Sequence, residues 1–208
     1  MKRLVMFLSL FGAACGGPGE GADPDMPPDP PPAACEDDVP AAESLQWKRV
    51  SALENDLMSA LDLEREAVCN ELGLYRCALV HLVPLGSSNP FGASLYEAVA
   101  EPLVTTPTTI DRLVLAACTG RVERDRQAAP AVFTHFDLAG PAPAAATPEV
   151  SEMIQDLYRR FLQRDPTAEE TAIVAELTVD GAGAPVAAAD FAKLACFTVG
   201  TSTEFLFF

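Results

Sequence analysis

The stretch from residue 16 to residue 42 sets the frame for everything else in this chain. It carries eight Pro, four Gly and seven Asp or Glu, with no Lys or Arg. A segment of that composition buries too little apolar surface to offset the entropy of ordering its backbone. Residues 15–42 therefore read as an acidic, Pro-rich, disordered tether, and any hydrophobic core is confined to residues 43–208. The run Pro27–Pro32, with Asp29 inside it, favours extended polyproline-like backbone. At about 3.1 Å per residue such a tether spans up to roughly 80 Å.

Ahead of the tether come a short basic start, Met1-Lys2-Arg3, an apolar run from Leu4 to Phe11, and the small residues Gly12-Ala13-Ala14. The run is too short to span a bilayer, and the order is that of a secretory signal over residues 1–14. Cys15 follows the small residues directly. The pattern resembles the lipobox of bacterial lipoproteins, with Gly12 where that family usually has Leu. The resemblance implies that Cys15 is the lipidated first residue of the mature chain, held on a membrane through that lipid. Gly16 in second position resembles outer-membrane sorting. The implied place is the cell envelope, outside the cytoplasm.

Charge narrows the partners. Removing the signal leaves 12 Lys and Arg against 30 Asp and Glu, a net charge of −18. Phosphate binding needs clustered positive charge, so the balance argues against a nucleic-acid partner. It argues equally against adsorption to anionic lipid by a basic face.

Cysteine usage fits an exported chain. There are six: Cys15, Cys35, Cys69, Cys77, Cys118 and Cys196. With Cys15 acylated and Cys35 in the tether, four remain on segments with helical pattern. An oxidising compartment lets them form two bridges, and four cysteines allow three pairings. The favoured set is Cys69–Cys77 and Cys118–Cys196. Gly73 lies midway between the first two and is a natural helix end, so Cys77 can fold back over Cys69. Cys118 and Cys196 lie on apolar helix faces, and a bridge across that span is worth on the order of 4 kcal/mol in the chain-entropy model. The rivals are a bridge from Cys69 or Cys77 to Cys118, and four buried thiols.

Periodicity predicts a mainly α fold: one small, irregular helical domain with at most a minor two-stranded β element. Trp47, Val50, Leu53, Leu57 and Leu61 recur at helical spacing and predict a first helix over 43–64. Thr106-Pro107 opens a second long helix as N-cap and first-turn residue, with Ile110, Leu113, Val114, Ala117, Cys118 and Val122 on its apolar face. Thr147-Pro148 repeats the signal before Val150, Met153, Ile154, Leu157, Tyr158, Phe161 and Leu162. Asp165-Pro166 stops that helix. Thr167 and Glu170 form a capping box for the next, to about residue 178. A last helix holds Phe191, Leu194, Ala195 and Cys196. Two short apolar runs, Leu79–Val83 around His81 and Ala131–Leu138 around His135, are candidates to pair as a small β-ribbon.

Little in the sequence carries chemistry. The two histidines, His81 and His135, stand alone, without metal-ligand spacing, and no Cys-x2-Cys is present. Ser87 and Ser88 follow Gly86, but no Gly-x-Ser-x-Gly elbow accompanies them. Neither a metal, a cofactor nor a catalytic set is assigned on these grounds.

One segment carries a second resemblance. Leu157-Tyr158-Arg159-Arg160-Phe161-Leu162-Gln163-Arg164-Asp165-Pro166-Thr167-Ala168-Glu169-Glu170 fits a pattern LYRxxLxRxPTxxE, and Thr203-Glu204-Phe205-Leu206-Phe207 fits the S/T-x-EFLF close that follows it. Together, residues 154–208 resemble the C-terminal helical region of large exported proteins of unknown function in planctomycetes and myxobacteria. Some of those proteins carry cytochrome c-like domains. The absence here of Cys-x-x-Cys-His means that no haem function carries over.

The expectation is thus a lipid-anchored exported protein acting as a non-catalytic binding or scaffold module with other exported envelope proteins. The alternative is a hydrolase with a histidine-centred site at His81 or His135.

Overall fold

Four amphipathic helices supply the core, because each buries one stripe and leaves the other in water. In the computed structural model, which describes residues 46–207, they are α1 (Val50–Leu61), α5 (Thr106–Gln127), α6 (Pro148–Leu162) and α8 (Ala188–Gly200). The expectations for residues 1–42, Cys15 and Cys35 among them, lie outside the described residues.

Helix α5 packs along α8, and α1 packs on α6. Leu53, Leu57 and Leu61 from α1 meet Val114, Ala117 and Cys118 from α5, Val150 and Ile154 from α6, and Phe191, Ala195 and Cys196 from α8 in one buried cluster. Gly200 marks the closest approach. A Cβ there would lie 2.8 Å from Val114 Cγ1 and 3.1 Å from Phe161 Cε1, so a glycine lets α8 reach both neighbours.

Short elements fill the rest. They are α2 (Arg65–Val68), β1 (Asn70–Glu71), β2 (Tyr75–Arg76), α3 (Cys77–Val80), α4 (Pro90–Ala93), α7 (Ala168–Ala175) with a 3-10 turn after it, and α9 (Thr203–Leu206). Among the described residues the β1–β2 antiparallel pair is the whole sheet. The fold is therefore mainly α, irregular, with one minor two-stranded β element.

Local detail departs from the expectations in four places. The first helix starts at Val50, not near residue 43, and Trp47 is not on it. Trp47 instead bridges Phe207 in antiparallel fashion, and the Lys48 N–H donates to the Leu206 carbonyl at 2.7 Å. A partner distant in sequence satisfies this backbone, so helical spacing alone misassigned it. The two apolar runs around His81 and His135 do not pair. The first belongs to α3 and its turns, and the ribbon forms earlier, between Cys69 and Cys77.

Thr106 is also not a cap. Its hydroxyl donates to the Pro84 carbonyl at 2.6 Å and accepts the Leu103 N–H at 2.9 Å, fastening the preceding loop to α5. Helix α6 ends at Leu162, before Asp165-Pro166, because Gln163 adopts the left-handed conformation at φ 56°. The capping box of Thr167 and Glu170 is present as expected.

Asp125 organises the loop after α5. Its carboxylate accepts from Arg121 Nη2 at 2.5 Å and from the N–H groups of Ala131, Val132 and Phe133 at 2.9, 3.2 and 2.9 Å. Arg121 reaches on to the Asp62 carbonyl at 3.2 Å, tying this loop to the end of α1. The C-terminal tail is core as far as Phe205, whose ring meets Phe161 edge-on at 5.0 Å.

Candidate functional site

Cys69 and Cys77 close a short loop with a Cα separation of 5.4 Å, and Cys118 and Cys196 join α5 to α8 at 5.9 Å. Two bridges of this kind persist in oxidising compartments and mark an extracytoplasmic protein. Among the described residues no helix is long and apolar enough to cross a membrane.

The β1–β2 hairpin lies inside the Cys69–Cys77 loop, in register Asn70 to Arg76 and Glu71 to Tyr75. Its turn places two consecutive residues at positive φ, Leu72 at 54° and Gly73 at 71°. Glycine takes that conformation freely, whereas a leucine there is uncommon.

One backbone bond besides the disulfide closes the hairpin, and two carboxylates, Glu54 and Glu71, hold it to the domain. The Cys77 N–H donates to the Cys69 carbonyl at 3.1 Å. Glu54, buried on α1, accepts from Arg76 at 2.7 Å and from Arg65 on α2 at 2.5 Å. On the other side Glu71 meets His81 Nε2 at 2.7 Å and Arg112 Nη2 at 3.3 Å.

What this clamped hairpin displays is apolar. Leu72 is 92 % exposed, Leu74 73 % and Tyr75 61 %, with Leu79 and Val80 of α3 also exposed. Leu74, Tyr75, Leu79 and Val80, with Glu66, Asn70 and Arg76, line a shallow cavity of about 380 Å³. Scattered single apolar residues on a surface are ordinary, but three large ones on a small cross-linked loop with two more on the adjoining α3 form a patch. Phe91 on α4, and Tyr96 and Val104 on the loop between α4 and α5, are exposed as well.

No family model, curated protein or solved structure matches this chain. The site is therefore judged on its own chemistry.

Each histidine faces carboxylates. His81 meets Glu71, and His135 lies 2.8 Å from Asp156 through Nε2 and 3.5 Å from Glu152 through Nδ1. Among the described residues, neither ring hydrogen-bonds a serine, and the Ser87 N–H is spent on the Leu82 carbonyl at 2.9 Å. Neither histidine lines the hairpin cavity or the cavity of about 390 Å³ walled by Asp125, Phe133, Phe136 and Asp137. Among the described residues, the hydrogen bonds of both histidines go to carboxylates and not to a nucleophile.

The residues of the LYRxxLxRxPTxxE and EFLF patterns do come together. Arg164 pairs with Glu170 through Nη1 and Nη2 at 3.0 and 2.6 Å, and with Glu204 through Nε and Nη2 at 2.8 and 2.6 Å. Arg159 binds Asp165 at 2.6 Å. Arg164 beside Glu170, helped by the Thr167 N–H, holds that carboxyl down to about 2. Asp165 and Glu204 are likewise lowered by hydrogen bonds from Arg159 and Arg164. These are surface clasps between α6, α7 and α9, in which two guanidinium groups hold three carboxylates.

Sequence reasoning missed the hairpin patch. Its signal was Leu72-Gly73-Leu74-Tyr75 between cysteines eight residues apart. A loop that short cannot turn all three large side chains, Leu72, Leu74 and Tyr75, inward at once.

Proposed function

We propose that this protein is a lipid-anchored binding module of the cell envelope, which docks on an exported partner through the apolar hairpin of residues 70–76 and the adjoining α3. One observation carries the reading. The most exposed apolar side chains of the Cys69–Cys77 loop sit on a backbone held by a disulfide and by ion pairs on both sides. Leu72 pays for its exposed, left-handed position with no packing inside the domain, and unrewarded strain of this kind clusters at functional sites. A rigid apolar surface binds with little ordering cost, so its contacts count almost fully toward affinity.

The lipobox resemblance and Cys15 support the anchoring half, and the Pro-rich composition of residues 16–42 supports a tether that gives the module reach. The two disulfides fit the same compartment.

Two experiments test the reading separately. Cys15→Ser should move the protein from the membrane to the soluble fraction, and intact-mass analysis should find lipid on Cys15 of the wild type. An unmodified Cys15 removes the anchor. Site-specific photo-crosslinkers placed at Leu74 and, as a control, at Ser59 on the exposed face of α1 test the docking half. A discrete adduct from position 74 alone supports it. Equal labelling from both positions, or none from 74, contradicts it.

A further inference from the structure

A second surface lies where the two ends of the domain meet. Trp47 and Phe207 bridge each other, and with Pro102 they form a wall shared by two adjoining cavities. The first, about 300 Å³, is apolar, with Ile110, Leu206 and Pro107 on its other sides. The second, about 440 Å³, is more polar and is lined by Arg49 and Glu101. These sizes are those of small-molecule sites, which pair an apolar body with a few directed polar groups.

Two donors belong to residues of these walls. Arg49 is exposed and forms no ion pair among the described residues. The indole Nε1–H of Trp47 is buried and has no acceptor among them. A buried N–H without an acceptor is costly, and this one is closed from solvent, so Arg49 is the donor open to a ligand. The nearby hydroxyls are already engaged: Thr106 donates to the Pro84 carbonyl and Thr201 to the Phe197 carbonyl. Glu101 and Asp111 also stand at the walls, both exposed to solvent.

We propose that this double cavity binds an amphipathic carboxylate, with its anionic head at Arg49 and its apolar tail against Ile110 and Leu206. The Arg49 guanidinium donates and is positively charged, which selects an anionic oxygen acceptor at that end of the cavity. The apolar half selects an alkyl or aryl tail rather than a sugar. This site is separate from the hairpin, and it does not depend on the docking reading.

Trp47 is the only tryptophan, so it reports directly. The full chain is titrated with dodecanoate below its micelle concentration while Trp47 emission is followed. Dodecanol and dodecylammonium are titrated in parallel, and helical circular dichroism is monitored throughout. The expected result is a saturable emission change with dodecanoate binding tightest. Arg49→Gln should weaken dodecanoate about tenfold and leave dodecanol unchanged, which also shows that the groove is intact. Leu206→Ala should weaken both. Equal binding of all three headgroups, tighter binding of dodecylammonium, no effect of Arg49→Gln, an emission change that tracks loss of helix, or no emission change at all overturns the proposal.

Discussion

Arg164 reaches Glu204 across forty residues of sequence and binds it with two nitrogens, at 2.8 and 2.6 Å. The same guanidinium holds Glu170, which in turn caps α7 through the Thr167 N–H at 2.7 Å. One arginine just past the end of α6 therefore fixes the start of α7 and the start of α9. Its plane also lies over the Tyr158 ring, 5.2 Å from the centroid. The two halves of the C-terminal sequence pattern are spaced as they are because they close on each other.

This clasp sets an acid limit. The Glu170 carboxyl is lowered from 4.5 to about 2 in the folded chain. A group lowered on folding contributes stability that is full above its unfolded pKa and is lost as pH falls through its folded one. The folded state should therefore lose this contribution progressively as pH drops from about 4.5 toward 2. Thermal unfolding of the wild type and of Arg164→Gln across that range checks it. The gap between their melting temperatures should be widest above pH 5 and should close toward pH 2.

Glu54 is the hinge-pin of the hairpin. It is buried on α1 and accepts from both Arg65 and Arg76. Glu54→Ala leaves the Arg76 guanidinium without its acceptor and Arg65 with Asn55 alone. The arginines reach solvent in part, so the expected loss is about 2–3 kcal/mol, short of the figure for a fully buried pair. Denaturant unfolding measures the loss. Amide exchange should rise first at residues 70–76.

Much of this architecture can be read from local pattern. The stripe Val150, Met153, Ile154, Leu157, Tyr158 and Phe161 is buried throughout, as helical spacing predicts. The Thr167–Glu170 capping box works because its partners are three residues apart. Failures come where the partner is distant. Trp47 looks helical by spacing, yet its backbone is claimed by Phe207, 160 positions on. Thr106 looks like a cap, yet Pro84 takes its hydroxyl. The hairpin patch stayed hidden for a different reason. Leucine and tyrosine are read as core by default, and only the closeness of Cys69 to Cys77 argues that these must face outward.

Asp125 should be the least replaceable charge in the domain. Its carboxylate is closed from water and accepts from Arg121 and from three backbone N–H groups. Asp125→Ala strands a buried guanidinium and leaves those N–H groups without acceptor. The expected cost is about 3–5 kcal/mol, enough to unfold a domain of ordinary stability. Asp125→Asn keeps part of the acceptor set and should cost less. Equilibrium denaturation of the two variants gives the order.

The docking claim rests on Leu74, and Leu74→Asp tests it most directly. The side chain is 73 % exposed, so the substitution should leave stability within about 0.5 kcal/mol of wild type. A charge at the centre of an apolar contact is costly to desolvate, so binding should suffer where folding does not. The measurement is the native size of the protein extracted from envelopes in mild detergent, wild type against Leu74→Asp, with the unfolding midpoint of each. The account predicts an unchanged midpoint and a shift of the variant from a larger complex to the size of the chain alone. A variant that stays in the same complex as the wild type would contradict it.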